Sequence, residues 1–141
     1  MTNATQRKTL KVFIADPHLL GGGQVRYVTN LAHQLTHLGH EVTIGCKPKS
    51  VLVDSAREAG CSVLNKLLLR GGLRPRIWWH DFKTVQEFIR KEKPDVIHVM
   101  GPRTTGYVLW RINSCGTLYA SSVPGITPIL SKTTIPTGYL T

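Results

Sequence analysis

The chain alternates between two hydrophobic periods, and that alternation limits its fold more than any other feature. Short apolar runs, "TLKVFIA", "HEVTIG", "CSVLN", "DVIHVM" and "TLYASS", read as strands. Between them, apolar residues recur every three or four positions, which is helix spacing. Val25, Val28, Leu31, Ala32, Leu35 and Leu38 mark the first helix, and "SVLVDSAREAG" the second. Ile77, Phe82, Val85, Phe88 and Ile89 mark the third, and "RTTGYVLWRIN" is a weaker fourth. Gly39 and Gly60 close the first two helices, where a left-handed residue is favoured. Lys91 and Lys93 suit the dipole at the end of the third, and Pro94 stops it. Strand–helix repetition of this kind predicts an α/β fold: a parallel sheet with helices on both faces and right-handed crossovers.

Ligands of such sheets sit beyond the carboxyl ends of the strands. Residues 16–23, 45–50, 100–103 and 122–125 therefore form the expected working edge. Residues 1–8 read as an N-terminal tail and 9–122 as one domain. Residues 123–141 hold three prolines and no period, and read as an irregular, truncated tail.

Gly21, Gly22 and Gly23 fall between the first strand and the first helix. Two explanations stand. One is an anion site, with helix N–H groups and the helix dipole facing a ligand that glycine lets approach the backbone. The other is a loop that only needs positive φ. A dinucleotide fingerprint fits poorly, because Arg26 stands where its third glycine belongs. The second strand also ends in "IGCKPK", with no acid for a ribose hydroxyl; Lys47 and Lys49 would suit only a 2′-phosphate. No Gly-Lys-Ser/Thr phosphate loop, Ser-His-Asp order or G-x-S-x-G elbow occurs.

The formal net charge of +10 points to anionic partners. Nucleic acid is disfavoured, because the basic residues are scattered and no aromatics line a strand as a stacking platform. A membrane surface fits better: Lys66, Arg70, Arg74 and Arg76 lie beside Leu67–Leu69, Trp78 and Trp79. The alternative is a loop whose tryptophans pack back on the core. No run approaches the roughly 18 to 20 apolar residues of a membrane span, and the first apolar run is too short for a secretory signal. The chain is thus expected in the cytoplasm, with peripheral contact to the cytoplasmic face of a membrane.

Cys46, Cys61 and Cys115 have no metal spacing and read as buried thiols in a reducing compartment. His33 and His37 are four apart, but no third ligand accompanies them, so no metal is expected. His98 lies near the end of an apolar strand, either as a core imidazole or at the edge of a site. His18 lies in the first edge loop. Asp16, beside Pro17, is either a site acid or a turn residue.

The order "GGGQVRYVTNLAHQLTHLGHEVTI", then "KPDVIHVMGPR", resembles the N-terminal domain of family 4 retaining glycosyltransferases of the GT-B fold. The matching residues are Gly22, Gly23, Asn30, Leu31, Ala32, Leu35, Gly39, His40, Glu41, Val42, Pro94, Asp95, Val96, Ile97 and His98. The resemblance implies one Rossmann-like half of a two-domain enzyme. That half holds a sugar or lipid-linked acceptor, while a C-terminal domain holds a nucleotide-sugar as co-substrate, with no cofactor. It assigns Gly22 and Gly23, with Gly21 beside them, to a loop approaching the donor diphosphate and the acceptor; Arg26, one turn into the helix, either supports the same anion or is a solvated charge. Asp16, His18, His98, Gly101 and Arg103, in the edge loops and at the strand end, are the acceptor-side candidates, and the resemblance supports His98 among them.

Three departures leave the catalytic residues unassigned. Val25 stands where the family often has Glu, and Met100 where it often has a second His. No histidine follows His98. The family's Glu-x7-Glu donor motif is also absent. A non-catalytic or split module that binds acceptor, membrane or a donor-domain partner is the alternative, and a nicotinamide-cofactor domain a distant third.

Overall fold

The computed structural model describes residues 8–18, 20–69, 74–100 and 118–121. In chain order it holds β1 (Lys11–Ala15), α1 (Gly23–His37), β2 (Glu41–Gly45), α2 (Leu52–Glu58), β3 (Ser62–Leu64), α3 (Pro75–Glu92), β4 (Val96–Val99) and β5 (Leu118–Ser121). The expected fourth helix lies outside the described residues. So do Arg70, Gly101, Arg103, Cys115, the 122–125 edge loop and the expected C-terminal tail.

The five strands form one sheet in the order β3-β2-β1-β4-β5, and every pair is parallel. After β1 the chain builds outward through β2 and β3, then returns to the far side of β1 as β4. The order of building reverses between β1 and β4, so a crevice opens at their carboxyl ends. β1 has four consecutive buried residues, as a strand covered on both faces must.

Two cores flank the sheet. On one face Val12, Ile14, Val42 and Ile44 pack against Val25, Val28 and Ala32 of α1 and Leu52, Val53 and Ala56 of α2. On the other, Phe13, Ala15, Ile97 and Val99 pack against Val85 and Ile89 of α3, with Leu67 and Leu69 from the loop before it. Alternation along β1 assigns even residues to the first core and odd residues to the second. Phe13 and Phe88 lie 4.6 Å apart, centroid to centroid. A Cβ on Gly45 would sit 2.7 Å from the Phe13 ring, so this glycine admits the aromatic side chain beside it. Gly39 and Gly60, at φ +87° and +76°, take the left-handed conformation expected after the first two helices.

The loop into α3 is held by a buried carboxylate. Asp81, fully buried, accepts the backbone N–H of Leu68 at 2.8 Å and of Leu69 at 2.7 Å. Leu69 adopts φ 43°, a left-handed value uncommon outside glycine, and its side chain is buried.

Candidate functional site

The crevice is built from the strand ends. Asp16, just past β1, donates its N–H to the Gly45 carbonyl, and Met100, just past β4, donates to the Ala15 carbonyl, both at 2.9 Å. Asp16 continues the even side of β1, so its side chain turns toward the α1 and α2 face and is fully buried. Its Oδ1 accepts the His18 backbone N–H at 2.7 Å and lies 2.7 Å from His18 Nδ1. Its Oδ2 has no hydrogen-bond partner among the described residues. Ser50 ties this turn to α2: its hydroxyl donates to the His18 carbonyl at 2.9 Å and accepts the Leu52 N–H at 3.2 Å. Asp16 thus makes an aspartate turn and also fixes the ring of His18, whose side chain is 46% exposed. Burial, and secondarily the Asp16 charge, push the Cys46 thiol up to about 11, so it stays protonated and unreactive.

The glycine loop opens next to this turn. Gly22 caps α1 in an extended conformation that any residue adopts, with φ 169°, and accepts the Arg26 N–H at 3.0 Å. None of Gly21, Gly22 and Gly23 has a left-handed φ, and a Cβ on any of them would meet nothing within 4 Å. A loop that merely needs positive φ is therefore not what stands here. No side chain caps the helix, and its first turn carries no acid. Its leading N–H groups have no intrahelical acceptor and, with the dipole, favour an anion there.

These residues border an open groove of about 570 Å³, lined by Gly21, Gly22, Gly23, Val25, Arg26, Thr29, Asn30 and Ser55. It runs on between α1 and α2 past His33, Glu58 and Ala59. Sequence reasoning missed Thr29 and Asn30 as lining residues. Their signal is the polar stripe at 26, 29, 30 and 33, opposite the apolar face of α1. Ser55 carries no such signal, because it meets the groove only through the packing of α2 on α1.

The structure brings Gly21, Gly22, Gly23 and Arg26 together in the groove, and Asp16 and His18 together at the turn. It does not bring His98 to the groove. His98 pairs with Ile14 across the sheet, under Tyr27 of α1, with ring centroids 6.2 Å apart. Its Nε2 is buried without a partner among the described residues, and burial lowers its pKa, so it is neutral at pH 7. A second cleft, about 290 Å³ and lined by Lys11, Glu41 and Glu92 among others, lies at the amino ends of the strands, on the opposite edge.

At the start of α3, Arg74 and Arg76 are exposed, as are Trp78 (39%) and Trp79 (53%). Lys66 is exposed on the preceding loop, whereas Leu67 and Leu69 lie in the core, where a bilayer cannot reach them. Among the described residues no group of three or more His, Cys, Asp or Glu is placed to hold a metal ion, and no helix is long and apolar enough to cross a membrane.

No curated protein matches the chain significantly by sequence. Among solved structures, a glycosyltransferase from Rickettsia africae superposes with a TM-score of 0.65 and 19% identity, over 86% of this chain and 31% of that one. MurG from Acinetobacter baumannii superposes at 0.61 and 16% identity, over 81% and 34%. The C-terminal domain of a hydrogenase from Pyrococcus furiosus matches equally well, at 0.61 and 15% identity, over 80% and 90%. Likeness at such identities establishes the Rossmann-like fold and no more. This chain spans about a third of the length of the first two structures. The sequence itself goes further: residues 21–124, starting at the first of the three glycines, match the profile of Glycosyltransferase Family 4. That match covers most of the chain, and the chain belongs to Glycosyltransferase Family 4.

Proposed function

We propose that this chain is the acceptor-side half of a glycosyltransferase that moves a sugar from a nucleotide-sugar donor to an acceptor hydroxyl. One observation carries the reading. Three successive glycines open on a groove at the crevice edge, although neither backbone conformation nor packing requires glycine there. Their free backbone faces an uncapped helix start with Arg26 one turn in, a setting that suits the diphosphate of a nucleotide-sugar. Asp16 and His18, at the neighbouring turn, lie on the side from which an acceptor hydroxyl would come. The donor is a co-substrate in this reading, and most of its contacts belong to a second, donor-binding domain.

The test is a titration of the isotopically labelled chain with UDP- and GDP-sugars, followed through its amide resonances. Shifts should centre on Gly21, Gly22, Gly23, Arg26 and Asn30, and weaken in Arg26→Gln. Tight NADP binding with no response to either sugar nucleotide would overturn the reading.

A further inference from the structure

At its entry the first strand is held by side chains as well as by neighbouring backbone. Leu10, just before β1, turns both backbone groups toward β2. Its carbonyl accepts the Glu41 N–H at 2.9 Å, and its N–H donates to His40 Nδ1 at 3.2 Å. Lys11 turns both of its groups toward β4. Its carbonyl accepts the Asp95 N–H at 2.8 Å, and its N–H donates to Asp95 Oδ2 at 3.0 Å. β2 starts only at Glu41 and β4 at Val96, so the residues before each strand supply the missing acceptors from their side chains.

The end of α1 puts His40 there. Gly39 at φ +87° closes a Schellman turn. The Gly39 N–H donates to the Thr36 carbonyl and the His40 N–H to the Leu35 carbonyl, both at 3.0 Å. The ring is then an acceptor of a special kind. It accepts only while Nδ1 keeps its lone pair, and an imidazolium carries N–H on both nitrogens. The bond to Leu10 and protonation of His40 therefore exclude each other.

Room and counter-charge lie beside the ring. His40 lines the amino-edge cleft of about 290 Å³ together with Lys11, Glu41 and Glu92. Both carboxylates meet the Lys11 ammonium loosely, at 3.9 and 3.8 Å, so two negative charges face one positive. Of the other elements packed here, α1 brings His37 in its last turn. The α2–β3 turn brings Gly60 and Ser62, which do not titrate. Asp95, before β4, is engaged with the Lys11 N–H.

We propose that His40 is a pH-sensitive latch on the entry of β1. Neutral, its Nδ1 holds the Leu10 N–H. Protonated, the ring leaves that donor and turns into the cleft toward Glu41 and Glu92, and the Leu10 N–H opens to solvent. The latch gives a task to a histidine that stands on the edge away from the crevice. No ligand takes part, so it stands or falls apart from the proposed function.

The experiment is nuclear magnetic resonance of the isotopically labelled full chain between pH 8 and pH 5, the interval in which imidazoles as a class change charge. At pH 8 a coupling across the hydrogen bond should join the Leu10 amide nitrogen to His40 Nδ1, and at pH 5 it should be gone. Protection of the Leu10 amide from hydrogen exchange should fall over the same interval, by about tenfold more than in His40→Gln, the weight of one hydrogen bond. Glutamine offers an acceptor oxygen that does not titrate. Both chains carry His98, so its effect on global stability cancels in the comparison. His40→Ala should show low Leu10 protection at every pH; if it does not fold, the wild-type coupling and His40→Gln still decide. Absence of the coupling at pH 8 overturns the proposal. So does an equal loss of Leu10 protection in wild type and His40→Gln, which assigns the acid response to the fold as a whole.

Discussion

Single positions separate the glycines that the fold needs from those it does not. Gly45 faces the Phe13 ring at 2.7 Å, so Gly45→Ala must displace an aromatic side chain in a packed core. It should cost about 1–3 kcal/mol in chemical denaturation. Gly22→Ser should leave stability unchanged or raise it by a few tenths of a kcal/mol, since serine is a good N-cap and meets no atom there. Under the proposed function the same change should weaken sugar-nucleotide binding, because a side chain enters the groove. Titration divides two other residues. His98 has a lowered pKa in the fold, so folding binds fewer protons than the unfolded chain once pH falls below 6.5. Its contribution is intact above 6.5 and is lost as pH drops toward the folded value. His98→Gln should flatten that acid-side loss in a pH series of melting curves. Cys46 has the opposite window. Its thiol is held protonated up to about 11 against an ordinary 9.0, so it should resist thiol reagents at pH 8 until the chain unfolds.

Elements were legible wherever a period carries them. All five strands appear where apolar runs predicted them. The first three helices follow their three- and four-residue spacing, and Gly39 and Gly60 take the left-handed turn expected of them. The anchor of the loop before α3 was not legible. Asp81 sits within a helical run and looks like a solvated charge, yet it is fully buried and accepts two backbone N–H groups thirteen and twelve residues away. Only the tertiary approach of loop and helix reveals it. Asp81→Ala would leave both donors without that acceptor and should destabilise the chain by roughly 2–4 kcal/mol. Faster hydrogen exchange at Leu68 and Leu69 would localise the loss. The candidate site was legible in part for the same reason. Its glycines and Arg26 are contiguous in sequence, whereas Ser55 joins them only through packing of α2 on α1.

At the scale of the whole molecule, family and fold agree through different kinds of information. Hydrophobic period suffices for a parallel sheet with helices on both faces, and many unrelated chains share it, a hydrogenase domain among them. The family match spans residues 21–124, the stretch that holds the ordered glycines, Asn30, the Gly39–His40–Glu41 turn and the Pro94–Asp95 turn. The sheet order also has a consequence for how such a chain is made. Its central strand leaves the ribosome before either of its neighbours. β1 finds β2 some thirty residues later, but its other edge waits until Val96 has been synthesised. Throughout that interval a row of unpaired backbone groups flanked by Phe13 and Ile14 stands open to other nascent chains. Translation speed between α1 and β4 therefore sets how long that edge of β1 waits for its partner.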